Sequence, residues 1–98
     1  MDIRKEFEGD RLTVHLDGIL ETTTAEQLMQ EIKPELKSIN YLVLDMAELK
    51  YITSAGLRVI LTFQKKLKSK NKITTKNTNE NIRELFDLTG FNKILNVE

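Results

Sequence analysis

The spacing of apolar positions changes several times along the chain, and each change marks an element. Leu12, Val14 and Leu16 alternate with Thr13, His15 and Asp17, the two-residue period of a strand with one buried face. Ile3, Lys5 and Phe7 alternate less cleanly and predict an edge strand that Lys5 blunts. Glu8-Gly9-Asp10-Arg11 between the two runs predicts a hairpin turn. After Asp17-Gly18-Ile19-Leu20-Glu21 the spacing lengthens: Ala25, Leu28, Met29, Ile32 and Leu36 recur at helical intervals. A threonine of the Thr22-Thr23-Thr24 cluster should cap that helix, and Thr23 with Glu26 has capping-box spacing. Pro34 cannot donate a backbone hydrogen bond, so the helix should run to about Lys33 with a further turn beyond. Tyr41 to Leu44 is a continuous apolar run, as in a strand covered on both faces, with Asp45 ending it and Met46–Lys50 as a connection.

The next stretch, Tyr51-Ile52-Thr53-Ser54-Ala55-Gly56-Leu57-Arg58-Val59-Ile60-Leu61, is the centre of the chain. Gly56, Val59, Ile60, Phe63 and Leu67 share one face of a helix predicted from Ser54 to about Lys68. Thr53 and Ser54 stand at its start, where a hydroxyl oxygen can accept from the unpaired N–H groups of the first turn. Ala55 and Gly56 add little bulk, so a lightly screened hydroxyl is offered at the positive end of a helix dipole, a place that favours an anion. Gln64, Lys65, Lys66, Lys68 and Lys70 make the far end of the helix polar and basic, which complements the dipole. Ile73–Lys76 is a weak strand. Asn77 and Glu80 have capping-box spacing before a helix whose core face carries Ile82, Leu85 and Phe86, with Leu88 a further candidate; Gly90 is a left-handed stop, and Ile94–Val97 a short strand or apolar clamp.

Strands and helices alternate after the opening hairpin. The expected fold is α/β, a single mixed, mostly parallel sheet packed against helices, within one domain over 1–98. Partners of such sheets favour the strand C-termini, which places Asp45 and Ser54 on one rim. Lys plus Arg and Asp plus Glu number 15 each, so the net charge is zero and nucleic acid is not the expected partner. There is no cysteine and a single histidine, which excludes disulfides, thiol catalysis and multi-histidine metal sites. His15 falls on the polar phase of its strand and reads as an exposed residue without a catalytic partner. No apolar run reaches membrane-spanning length, so a cytoplasmic protein without membrane insertion is expected. Ser54 lacks the Gly-x-Ser-x-Gly setting of a hydrolase nucleophile, and no Gly-rich phosphate loop is present; neither an enzyme nor a cofactor is expected.

Four segments in this order carry a resemblance. They are Leu16-Asp17-Gly18-Ile19-Leu20 before the threonine cluster, Leu42-Val43-Leu44-Asp45, Ile52-Thr53-Ser54-Ala55-Gly56-Leu57, and Leu85-Phe86-Asp87-Leu88-Thr89-Gly90-Phe91. Over nearly its whole length the chain resembles a STAS domain of the bacterial anti-sigma factor antagonist family. That family typically carries Asp-Ser-Ser/Thr-Gly-Leu at the helix start, and its first serine, the phosphoacceptor, aligns with Ser54. Thr53 stands where the family has aspartate, and Ala55 where it has a second hydroxyl. The resemblance implies a regulatory module that catalyses nothing. Its implied partners are a serine-kinase anti-sigma factor with a GHKL-type ATP fold and a PP2C-type phosphatase that resets the serine. Unmodified, it would bind the kinase and free a sigma factor to regulate transcription. The partner-binding residues are then expected to be Thr53, Ala55, Gly56, Leu57, Arg58, Asp45 and Thr22, on a monomer. The competing reading keeps the fold and makes the chain a non-phosphorylated STAS subunit of a membrane lipid-transport complex.

Overall fold

A computed structural model describes residues 1–98. The opening hairpin forms as the alternation requires: β1 (Asp2–Glu8) pairs antiparallel with β2 (Arg11–Leu20). The remaining strands are β3 (Tyr41–Ile52), β4 (Thr74–Lys76) and β5 (Asn96–Val97); β2, β3, β4 and β5 are mutually parallel, and the sheet order is β1-β2-β3-β4-β5. Leu12, Val14 and Leu16 of β2 and Leu42, Leu44 and Met46 of β3 join one core with Leu28, Ile32, Val59, Ile60, Phe63, Ile82 and Phe86 from the helices. Val43 is buried but lies outside that core, beside Thr13 and Thr74 on the opposite face. The continuous apolar run of β3 thus reflects shelter by neighbouring strands, not a second layer of helices.

Helix α1 (Thr22–Ile32) stops two residues before Pro34, and a single 3₁₀ turn (Lys33–Glu35) follows, as the missing N–H dictates. Its cap is not a threonine. The Glu21 carboxylate accepts from the N–H groups of Thr23 and Thr24, and the Thr24 hydroxyl accepts from the Glu21 N–H, a capping box with the acid and hydroxyl exchanged. Helix α2 covers Ser54–Lys66 and α3 covers Glu80–Thr89. Asn79, not Asn77, caps α3, because Asn77 lies in the left-handed region and its amide is engaged elsewhere. Gly90 (φ 80°) ends α3 as expected, and the one-turn helix α4 (Phe91–Ile94) stacks Phe91 on Phe86 before β5.

Both central strands are longer than their alternation suggests. β2 continues through Asp17-Gly18-Ile19-Leu20, and β3 continues through Met46–Lys50, which is strand and not a connection. The register shifts between His15 and Asp17 and again between Gly18 and Ile19; Gly18 (φ 124°) takes a backbone conformation closed to most side chains. The irregularity lets Met46, Leu49 and Ile52, spaced by three, all reach the core.

Candidate functional site

The extension of β3 decides where the predicted site residues lie. Asp45 sits in mid-strand, paired in register with His15, and six residues of strand, 46–51, separate it from Ile52. At about 3.3 Å per residue this puts it roughly 20 Å from the start of α2. Asp45 is therefore not on the rim with Ser54, where it was expected. It belongs to a polar cluster on the helix-free face of the sheet. His15 Nδ1 lies 3.2 Å from Asp45 Oδ2, and His15 Nε2 lies 2.7 Å from Glu6 Oε1, a close contact without hydrogen-bond alignment. The Asn77 amide and the Ala47 N–H both donate to Asp45 Oδ1 at 3.0 Å. The reading of His15 as exposed and partnerless is overturned: it is half-buried between two carboxylates. Neither partner adjoins it in the sequence; strand pairing brings them there.

Burial works to raise the Asp45 carboxyl, but the Asn77 and Ala47 donors and the neighbouring imidazole outweigh it and hold the group below its ordinary range. A carboxyl depressed by folding stabilises the fold above its unfolded value, and that contribution is lost as pH falls through the folded one. Asp45→Asn should therefore flatten the dependence of the urea midpoint on pH below about pH 4. Parallel curves for the two proteins would remove the carboxylate from this role.

The start of α2 is built by the end of β2. The Thr53 N–H donates to the Leu20 carbonyl at 2.9 Å, and the Thr53 hydroxyl donates to the same oxygen at 3.3 Å. Thr53 occupies the cap position but its side chain caps nothing, since its hydroxyl is spent on β2. The N–H groups of the first turn therefore keep their positive end free of a side-chain acceptor. Ser54 is the first residue of the helix and is exposed. Ala55 is half-buried and Arg58, four residues on from Ser54 and so on the same side of the helix, is exposed. Gly56 and Leu57 are buried, Gly56 against Leu20 and Ile52, where an open contact surface was expected; Leu57 is 8% exposed.

Thr22 joins the site from another element. Helices α1 and α2 pack together and leave an open recess of about 340 Å³, whose walls include Thr22, Glu26, Met29, Ala55, Arg58 and Val59. The structure thus brings together Thr22, Ala55 and Arg58 beside Ser54 and Thr53, and separates all of them from Asp45. On the other side of the β3–α2 corner a second recess of about 190 Å³ is lined by Tyr51, Ile52, Ile82, Leu85 and Leu88. Tyr51, its strand partner Ile19, and Leu88 are exposed large apolar residues there, with Leu88 at 79%. The sequence offered one signal for Tyr51: it lies in opposite phase to the buried Ile52, next to the corner. Leu88 carried none, because it fitted a core-facing stripe.

The STAS domain family model matches residues 2–98. A Bordetella bronchiseptica protein described as an anti-sigma factor antagonist, BtrV, is 36% identical over 84 residues, which span 84% of this chain and 72% of the relative. Among solved structures, one described as an anti-sigma factor antagonist from Thermotoga maritima superposes with a TM-score of 0.88 at 20% identity, covering 97% of this chain and 84% of the other. The Bacillus cell fate determinant SpoIIAA in its phosphorylated form gives a TM-score of 0.74 at 16% identity, covering 99% and 91%. No helix is long and apolar enough to cross a membrane. By the family match along its length and its likeness to BtrV, the chain belongs to the STAS domain family and, within it, to the anti-sigma factor antagonists.

Proposed function

We propose that this chain is a phosphorylation-switched anti-sigma factor antagonist in which Ser54 is the switch. One observation carries the reading: an exposed serine hydroxyl begins α2, where the first-turn N–H groups have no side-chain acceptor. With Ser54 unmodified, a serine-kinase anti-sigma factor of the GHKL type packs over Ser54, Ala55 and Arg58 and into the recess edged by Thr22; the apolar flank at Tyr51 and Leu88 widens the contact. Its sigma factor is then released. In the reverse step the kinase moves the γ-phosphoryl group of ATP to Ser54. The Ser54 Oγ–P bond forms, the bond from phosphorus to the β,γ-bridging oxygen breaks, ADP leaves, and the hydroxyl proton passes to the kinase's base. A PP2C-type phosphatase returns the serine by hydrolysis. The chain is substrate and ligand throughout, not catalyst.

The charge logic is local. A phosphoserine carries about −1.5 to −2 charges at neutral pH. On the domain itself that charge meets the positive pole of α2, with the Arg58 guanidinium one turn along, so the fold tolerates it. A partner packed on the same spot would bury the charge without compensation. Thr53 replaces the family's aspartate and is tied to Leu20, which leaves Ser54 as the acceptor. Incubation with ATP and a GHKL-type serine-kinase anti-sigma factor that binds the chain should place one phosphate on Ser54 by mass spectrometry, and none on a Ser54→Ala variant. Label on Thr53, or no label, would sink the switch; the second result would return the chain to a transport-complex subunit.

A further inference from the structure

The chain is neutral, yet its charges are segregated. All fifteen acidic residues lie outside 49–79, while eight of the fifteen basic residues lie within it. Six of the eight are Lys65, Lys66, Lys68, Lys70, Lys72 and Lys76, all exposed, and none forms an ion pair; the chain's salt bridges involve only Arg4, Lys5 and His15 as cations. One or two lysines suffice to offset the negative end of α2, and Lys70 does so through a 2.6 Å bond from Nζ to the Lys65 carbonyl. The rest have no such use.

The loop that carries them is held in place. The Ser69 hydroxyl and the Asn71 amide both donate to the Asn40 carbonyl, at 2.6 and 3.0 Å. The Gln64 side chain donates to the Asn71 carbonyl and accepts from the Ile73 N–H, at 2.9 and 2.8 Å. Leu67 is fully buried as the loop's anchor. Lys70 itself takes a left-handed backbone conformation (φ 62°), which glycine or asparagine adopts more cheaply. A long cation stands there in spite of the backbone. Lys72 continues the positive surface around the edge, where it shares a recess with Arg11 and Lys76; Glu98 is the acidic group of that recess.

These features define the class of partner. The loop cations are lysines without a single arginine, and lysines act as compact point charges that read no planar shape. No aromatic residue interrupts Gln64–Lys72; Phe63 before it is fully buried, and the Tyr41 ring lies under the Arg11 guanidinium at 5.7 Å. Base stacking is thus not provided for, and the element ending here is the C-terminal end of α2, not one aimed into a groove. A fixed, exposed, purely electrostatic surface suits a diffuse sheet of negative charge. We propose that the lysine-rich end, Lys65–Lys72, docks on the anionic headgroups of a lipid bilayer. The thirteen-residue helix α2 spans about 18 Å, well beyond the Debye length in cell-like salt, so the Ser54 end points away from the surface and stays open to its own partner. The proposal does not depend on phosphorylation.

The test is co-sedimentation of the full chain with vesicles. Phosphatidylcholine vesicles containing phosphatidylglycerol should retain the chain at least about a hundredfold better than phosphatidylcholine alone, and the retention should fall as salt rises. Replacing Lys66, Lys68 and Lys72 together by Gln should weaken retention by roughly a hundredfold, from about fivefold per lysine. The same three positions changed to Arg should keep it, and an unchanged urea midpoint shows that both variants fold. Equal retention on the two vesicle types, or a Gln variant bound as well as the parent, overturns the proposal. So does tighter retention by duplex DNA at matched phosphate concentration, which would make the surface a nucleic-acid site.

Discussion

Ser54→Asp should weaken binding to the kinase that phosphorylates the chain by about a thousandfold and leave the fold at least as stable as before. The two halves of this expectation have separate causes. Desolvating a charge against a partner that offers no counter-charge costs about 4 kcal/mol, and each 1.4 kcal/mol is a factor of ten in affinity. Within the domain the same carboxylate sits at the first position of α2, at the positive pole, where it contributes about 0.3–1 kcal/mol of stability. Calorimetric titration of the kinase should therefore lose its signal while the thermal midpoint stays level or rises. Ser54→Ala, which adds no charge, should bind within about tenfold of the parent. Were the Asp variant to bind as tightly as the parent, the charge switch would be wrong. If it bound weakly because it had unfolded, the midpoint would say so.

The helices, the hairpin and the centre of the chain were legible because each rests on local chemistry. Pro34 ends α1, Gly90 ends α3, and the alternation of Leu12, Val14 and Leu16 defines the buried face of β2. Ser54 was legible as the start of α2 for the same reason. What the sequence hid was long-range. The second half of β3 looked like a connection because its buried residues fall three apart, a spacing that a strand supports only where its register slips against β2. That one misreading moved Asp45 onto the wrong rim. His15 looked idle because Glu6 and Asp45 reach it from neighbouring strands. The caps failed in detail for a related reason. Glu21 outcompeted the threonines for the start of α1, while the Thr53 hydroxyl was claimed by a carbonyl of another strand. Periodicity assigned Gly56 to the buried face, but resemblance placed it on the partner surface; only the packing shows how completely the core takes it.

Gly56 is where the core and the site are joined, and it should be the most sensitive position in α2. A Cβ built on it would come within 2.8 Å of Leu20 Cγ and Cδ2 and 2.9 Å of Ile52 Cγ2. Both neighbours are at most 1% exposed, so neither has room to withdraw. They are also the last residues of β2 and β3, the two strands that hold Thr53 and thereby aim Ser54. Gly56→Ala gains about 1 kcal/mol of helix propensity and loses about 2 to overpacking, for a net cost near 1 kcal/mol. Gly56→Val adds two further methyl groups and gives up the propensity gain, so it should cost about 3 kcal/mol. In a domain of this length that lowers the melting midpoint by about 12–24 °C. Because the excess volume pushes α2 off the ends of β2 and β3, it also tilts the first turn. The Ala variant, which still folds, should then lose kinase affinity although Gly56 itself is buried. An unshifted midpoint for Gly56→Val would mean that α2 is free to move away from Leu20 and Ile52, and that the position of Ser54 is not fixed by the sheet.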